Sequence, residues 1–261
     1  MESALDYYTA EALLAWQVEL GATEAMMDSP VNRYETPKEA PKPKAAAPAA
    51  VDAPAKKVKV DAAAEAKKAV AGVGDLDGLK AAMVAFDLCE LKRGARNMVL
   101  ADGNPAARVM VIGDAPGREE DRSGKPFEGR AGRLLDKMFS AIDMGRDVPL
   151  SKNAIYLTYA SPWRLPQNAA LKPADVGVLR AFIERHVEIV APDVIVVMGN
   201  VACEVVLGKR GVTRQRGEWR EVFGKPVLPM FDPERLLTAS VAKRDAWADL
   251  LSLKAKLEAL A

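Results

Sequence analysis

Two carboxylates follow apolar runs of this sequence, at places where a sheet would bring them together. Asp114 comes just after the run 108–112, and Asp232 comes just after the run 225–231. Ligands of open α/β sheets bind outside the carboxyl ends of the strands, so both side chains would lie at one mouth. Two carboxylates can divide acid and base roles when their surroundings separate their pKa values. Asp114 and Asp232 are therefore the catalytic candidates.

The segment after the first run is rich in glycine. Residues 113–117 read Gly-Asp-Ala-Pro-Gly, and residues 124–132 read Gly-Lys-Pro-Phe-Glu-Gly-Arg-Ala-Gly. Glycine lets a backbone approach a flat ligand closely, and the free amides of a helix N-terminus suit an anion such as phosphate. We expect a ligand-binding loop at 113–117 and an anion-binding helix start at 129–133. An ordinary strand-to-helix turn would explain Gly113 and Gly117 alone.

Strands alternating with helices must position these residues. The sequence predicts strands at four apolar runs: 108–112, 154–158, 193–198 and 225–231. Between and after them it predicts four helices: 131–142, 173–190, 200–207 and 241–259. Continuous apolar strands linked by helices are typical of a parallel sheet covered on both faces. The expected fold class is therefore α/β.

Composition divides the chain of 261 residues into three parts. Residues 1–34 contain a predicted helix at 9–27, which is either a docking element for a protein partner or a packing element. Residues 35–74 form a linker rich in Pro, Ala and Lys, with a possible short helix, since such a composition offers little apolar bulk. Residues 75–261 form the folded domain.

Charge and cysteine content exclude several classes of protein. The formal net charge is +1 and 49% of residues are hydrophobic, which excludes wholesale disorder and a strongly basic nucleic-acid coat. The chain has 2 cysteines, too few for a disulfide scaffold. It has no apolar run of membrane-spanning length, and residues 1–22 lack the pattern of a signal peptide. We expect a cytoplasmic protein with no membrane partner.

The motifs of residues 76–257 resemble those of the uracil-DNA glycosylase superfamily, most closely family 4 in its alphaproteobacterial form. The resemblance rests on the glycine-rich segments above, on Pro-Trp-Arg at 162–164 and on Lys-Arg-Asp-Ala-Trp at 243–247. It implies a three-layer α/β/α fold with a central four-stranded parallel sheet. It also implies DNA as the partner, with a base flipped out of the duplex and its N-glycosidic bond hydrolysed.

The resemblance also implies roles for individual residues. The substrate-binding set would be Gly113, Ala115, Pro116, Gly117, Phe127 and Tyr159. Asp114 replaces a Glu that positions water, and Phe127 keeps the aromatic that stacks on the flipped base. Tyr159 replaces the Asn that reads the edge of uracil, and Asp232 replaces the His that stabilises charge on uracil O2. Loss of one such donor costs about 10² to 10³ in rate, so we expect weak or altered activity.

Family 4 enzymes usually hold a [4Fe-4S] cluster on four cysteines. The matching positions of this sequence are Phe86, Cys89, Trp163 and Leu179. One thiolate cannot hold such a cluster, so the resemblance implies that this cofactor is absent. We predict no other metal site, because the single histidine, His186, lies in a predicted helix and serves as a cap or a core residue.

DNA contacts are expected at three places. The first is the helix start with Gly129, Arg130 and Gly132, whose amides suit phosphate. Arg214 and Arg216 lie in a glycine-flanked loop, which is either a phosphate contact or a solvated basic loop. Arg235 precedes Leu236 and Leu237, which match the family's wedge for the minor groove, although a Leu-Leu pair can equally be core.

Two functions stay open from the sequence. The first is a DNA glycosylase acting on uracil or a related base, with Asp114 positioning water and Phe127 stacking on the base. The second is a catalytically inactive DNA-binding or protein-interaction module that keeps the fold. Asp232 and Tyr159 favour the second, whereas the intact segment 113–117 and Phe127 favour the first.

Overall fold

The computed structural model of the protein describes residues 7–19, 61–165 and 171–260. The chain divides into two units, Met1–Lys56 and Lys57–Ala261. In the first unit, helix α1 spans Tyr7–Glu19. This confirms a helix within the predicted range, while residues 20–27 of that prediction lie outside the described residues.

The second unit is built on a mixed sheet of six strands in the order β1-β3-β2-β4-β6-β5. The strands are β1 (Ala101–Gly103), β2 (Val109–Gly113), β3 (Ile155–Tyr159), β4 (Val194–Met198), β5 (Arg220–Val222) and β6 (Lys225–Met230). The four central strands are parallel, and both edge strands are antiparallel to their neighbours. The expected four-stranded parallel sheet is confirmed.

Helices cover both faces of the sheet. One face carries α2 (Ala62–Val70), α3 (Leu76–Ala85), α6 (Pro173–Val190) and α7 (Asn200–Leu207), and the other carries α5 (Gly129–Ser140) and α10 (Ala242–Ala259). Successive residues of β2 illustrate the layers, because Met110 and Ile112 enter one core while Val109 and Val111 enter the other. This is the three-layer α/β/α arrangement that buried parallel strands require.

Short elements complete the unit, and most of them were not predicted. They are a 3-10 helix at Glu90–Gly94 and the helices α4 (Arg118–Ser123), α8 (Val212–Gln215) and α9 (Pro233–Thr238). The edge strands β1 and β5 have three residues each and carry no apolar run. A periodicity argument cannot detect elements of this length.

Helix α2 lies in the stretch expected to be a linker. Its N-cap Asp61 accepts hydrogen bonds from the amides of Ala63 and Ala64. Ala66 and Val70 are buried with the residues of α6, in the same core. A shortened chain must therefore keep α2 if α6 is to stay covered on this side.

None of the described helices is long and apolar enough to cross a membrane.

Candidate active site

A cavity of about 460 Å³ opens at the carboxyl ends of the parallel strands. We call it the base cavity. Asp114 enters it after β2, Tyr159 from the end of β3, Gly199 after β4 and Asp232 after β6. The sheet therefore brings together both catalytic candidates and the predicted binding loop, at the edge where α/β folds bind ligands.

Asp114 is held by the start of helix α7. Its two carboxylate oxygens accept hydrogen bonds from the amides of Asn200, at 3.1 Å, and Ala202, at 2.8 Å. Gly199 adopts a positive φ of 103°, and a Cβ there would overlap the Asp114 carboxylate. Burial raises the pKa of Asp114 above its usual range, and the amide hydrogen bonds oppose that rise. The helix N-terminus favours the ionised carboxylate.

Asp232 lies at the start of helix α9, where it accepts a hydrogen bond from the amide of Glu234 at 2.8 Å. Burial, followed by the charge of Asp114, raises the pKa of Asp232 to about 7. Glu120 and Glu234 also line the base cavity. Burial raises the pKa of Glu120, whose carboxylate accepts the amide of Gly117 at 3.0 Å. The cavity therefore presents four carboxyl groups to whatever enters it.

Phe127 and Tyr159 form an aromatic pair at the wall of the cavity. Their ring centroids are 4.8 Å apart with an interplanar angle of 29°, so one face of Phe127 is covered. The Tyr159 hydroxyl accepts the amide of Phe127 at 3.0 Å, and only 4% of Phe127 is exposed. Gly113 faces both rings, because a Cβ there would come within 2.6 Å of Phe127. Tyr159 thus stacks on Phe127, the ring that was expected to stack on the flipped base.

Phe127 has an unusual backbone that its neighbours hold in place. Its φ is +52°, which is costly for an aromatic residue. The Arg146 guanidinium donates to the carbonyls of Pro126 and Phe127, both at 3.2 Å. The same group pairs with Asp136 at 2.8 Å and with Asp102 at 3.1 Å. Arg146 therefore positions the loop that carries Phe127.

Gly132 has a packing role within this loop. A Cβ at this position would overlap the carbonyl oxygen of Phe127. The Cβ of a residue at Gly129 would likewise overlap the Glu119 carboxylate. Arg130 is exposed beside them at the start of α5. A helix thus begins at the predicted position, with close packing against two of its glycines, and anion binding by its amides stays a prediction.

The other predicted DNA contacts differ in exposure. Arg214 is exposed on α8, and Arg235 lies 4.6 Å above the ring of Phe231 at the base cavity. Arg216 pairs instead with the buried Asp249 at 2.6 Å. Leu237 is 38% exposed, whereas Leu236 is 1% exposed. Of the Leu-Leu pair, only Leu237 is open to a partner.

The positions that match the family's cluster cysteines do not fit an iron-sulfur cluster. Phe86, Cys89, Trp163 and Leu179 are all buried in one hydrophobic core. The rings of Phe86 and Phe182 pack edge to face at 5.5 Å. Within the described part of the chain, no three His, Cys, Asp or Glu side chains are grouped to hold a metal ion. That purified protein contains no iron stays a prediction, which iron analysis and a visible absorbance spectrum test.

Comparison with known proteins decides the family. The family model of the uracil DNA glycosylase superfamily matches residues 100–251, which contain every parallel strand of the sheet. The chain belongs to the uracil DNA glycosylase superfamily. The match begins in β1 and ends in α10, so it includes the whole base cavity.

Curated relatives place the chain beside family 4 of the superfamily. A Type-4 uracil-DNA glycosylase of Thermotoga maritima is 34% identical over 57% of this chain and 76% of the relative. One of Archaeoglobus fulgidus is 30% identical over 62% of this chain and 83% of the relative. One of Sulfurisphaera tokodaii is 28% identical over 55% of this chain and 65% of the relative. The family 4 resemblance is therefore confirmed.

Several residues that line this glycosylase-type cavity, or that hold the loop beside it, were missed by sequence reasoning. Glu120 could have been found, because a Glu three residues after Gly117 is typical of a helix start. Glu234 follows Asp232-Pro233 and could have been assigned to the first turn of a short helix. Arg146 and Asn200 gave no signal, because their contacts depend on how separate segments meet in space.

Proposed function

We propose that this protein is a DNA-repair glycosylase of the uracil type that excises uracil slowly. The observation that most supports this proposal is the chemistry of the base cavity. Its walls include Asp114, Phe127, Tyr159 and Asp232. Asp114 is the residue that positions the attacking water, and Phe127 is the wall against which a flipped base rests. Family membership and the relatives' names support DNA as the substrate.

The slow rate follows from the side chains that would surround the two carbonyl groups of a bound uracil. As uracil leaves, negative charge develops on it, and preorganised donors normally stabilise that charge. Asp232 can donate a hydrogen bond only while it is protonated, and its pKa is about 7. The Tyr159 hydroxyl already accepts the Phe127 amide. A uracil in this cavity therefore meets carboxyl groups, and the single O–H donor that Tyr159 retains, where the chemistry calls for fixed donors.

Single-turnover cleavage of a uracil-containing oligonucleotide tests this proposal. We expect slow excision by the wild-type protein, and loss of that excision in Asp114→Asn. Asp77→Asn, at the exposed start of α3, is the matched control and should keep the wild-type rate. Equal release by wild type and Asp114→Asn would contradict the proposal, because the activity would then come from a contaminant.

A second candidate function is a non-catalytic DNA-binding module. The stacked pair of Phe127 and Tyr159 favours it, since Tyr159 covers a face of the ring that a base would need. In this case the wild-type protein binds uracil-containing duplex without releasing uracil. The same single-turnover experiment, with binding measured in parallel, separates the two functions. A protein partner for helix α1 would belong to this second function.

A further inference from the structure

A second cavity, of about 410 Å³, lies outside the base cavity. We call it the arginine cavity, because Arg96, Arg118, Arg122 and Arg164 line it together with Glu119 and Asp121. Arg118 and Arg122 lie one turn apart on α4, Arg96 follows the 3-10 helix and Arg164 follows β3. Three separate segments thus bring their guanidinium groups to one place.

A buried carboxylate holds these segments together. Asp121 is 7% exposed, and its Oδ1 accepts the amides of Arg96, at 2.8 Å, and Asn97, at 3.2 Å. The Asn97 side-chain amide donates to the carbonyl of Asp121 at 2.7 Å and to that of Arg122 at 3.2 Å. The backbone of Arg96 is therefore fixed beside α4, and the grouping is a property of the fold.

The four guanidinium groups form no ion pair with any carboxylate of the described residues. Other arginines of the protein are paired, for example Arg146 with Asp136 and Arg216 with Asp249. Over residues 61–165 and 171–260, no ion pair involves any arginine of the arginine cavity. Guanidinium groups present N–H donors in a planar fork that matches phosphate oxygens. Their natural ligand is an anion with several oxygens.

A depression between the two cavities shares lining residues with both. An intermediate depression shares Arg118 and Glu119 with the arginine cavity, and shares Gly117 and Glu120 with the base cavity. Leu237 lines this depression. Arg118, at the start of α4, directly follows Gly117, which lines the base cavity.

Charge decides which part of a strand each cavity can hold. Four carboxyl groups line the base cavity, with Arg235 as the basic side chain on its wall. A backbone phosphate is repelled there, whereas the arginine cavity attracts it. A strand that offers a base to the first cavity must therefore find its phosphate contacts elsewhere, and the arginine cavity offers four guanidinium groups against the two carboxylates of Glu119 and Asp121.

We propose that Arg96, Arg118, Arg122 and Arg164 bind backbone phosphates of the DNA strand whose base is held in the base cavity. This inference rests on the proposed function only in taking DNA as the ligand. It needs no catalysis, so it can be tested on duplex that contains no uracil.

The salt dependence of binding measures phosphate contacts directly. We would compare wild type with Arg96→Gln/Arg164→Gln and with the control Lys243→Gln/Arg244→Gln, which removes the same charge from the exposed start of α10. Each lost phosphate contact lowers the slope of log K against log salt by about 0.9. We expect the test variant to lose about 1.8 of slope and the control to keep the wild-type value. Arg96→Lys/Arg164→Lys should also keep the slope, since it keeps the charges.

Three outcomes would overturn the inference. A test variant with the wild-type slope and melting temperature shows that no phosphate lies in the arginine cavity. An equal loss in both glutamine variants shows that the effect is general charge. If the test variant binds DNA as well as wild type does but loses affinity for a glutamate-rich peptide, the arginine cavity binds an acidic protein partner instead. Failure of wild type to bind any duplex is a separate result, which contradicts the proposed function as well.

Discussion

Tyr159 and Asp232 change the base cavity in complementary ways. An Asn side chain offers an NH2 donor beside a carbonyl acceptor, whereas the Tyr159 hydroxyl accepts the Phe127 amide, keeps only its O–H to donate, and has a ring that covers Phe127. An imidazole donor cannot ionise to an anion near pH 7, whereas Asp232 does so. Under the proposed function, both residues stabilise a departing uracil less well than the Asn and His that the family resemblance implies. The site is altered at single residues within an intact frame.

The raised pKa of Asp232 predicts a pH-dependent stability difference. An unfolded aspartate has a pKa of about 3.9, so the folded protein binds more protons than the unfolded chain between about pH 4 and pH 7. The free energy of unfolding therefore falls as pH rises through this window. Asp232→Asn keeps the helix cap without titrating, and we expect it to gain up to about 4 kcal/mol over wild type by pH 7, at about 1.36 kcal/mol per pKa unit.

Denaturant unfolding of both proteins from pH 4 to pH 8 measures this difference. The two curves should meet at the acid end, where Asp232 is neutral in both states. A constant offset across the whole range would show that Asp232 has an ordinary pKa in the folded protein.

The start of helix α5 controls the loop that carries Phe127. Gly132 lets the helix backbone approach the Phe127 carbonyl, and Arg146 holds that carbonyl from another direction. The positive φ of Phe127 is thereby imposed by the packing around it. The element that was expected to bind phosphate through its amides also sets the position of the aromatic platform.

A side chain at position 132 should be strongly destabilising. In Gly132→Ala the new methyl group must displace backbone, which costs about 1 to 3 kcal/mol by overpacking. We expect a fall in melting temperature of about 2 to 4 °C per kcal/mol. Gly74→Ala is the matched control, because nothing lies within 4 Å of a Cβ there. Equal melting temperatures of the two variants would show that the α5 start moves freely.

Sequence patterns predicted the long elements and the chain positions of the site. The central strands are fully buried runs, and a helix as long as α6 carries a complete apolar face. Asp114 and Asp232 were found because they follow such strands. The Phe127–Tyr159 stack, the Arg146 contacts and the arginine cavity were not found. Each depends on side-chain directions and on how distant segments meet, which no local pattern contains.

At the scale of the whole molecule, helix α2 sets how much of the chain the glycosylase fold needs. Ala66 and Val70 are buried, and Lys67 pairs with Glu184 of α6 at 3.5 Å. The family match begins only at residue 100, so this packing lies outside the part that the family model describes. The helix therefore adds a layer to α6 that the family comparison alone does not predict.

Two truncations test the size of the folded unit. Removal of residues 1–60 should change the melting temperature by no more than a few degrees, because a Pro/Ala/Lys tether shares few contacts with a packed domain. Removal of residues 1–74 exposes the surface that buries Val70, worth about 1.5 to 3 kcal/mol, and should lower the melting temperature further. Equal melting temperatures for the two truncated proteins would show that α2 adds nothing to stability.

The central claim is that Tyr159 and Asp232 lower the rate of uracil excision in a glycosylase fold that could otherwise catalyse it. The most direct measurement is the single-turnover rate of uracil release by Tyr159→Asn/Asp232→His relative to wild type. With about 10² to 10³ per restored donor, the double variant should gain at least two orders of magnitude, and adding Phe127→Ala should remove the gain. A double variant that folds, binds duplex and releases uracil no faster than wild type would contradict the claim.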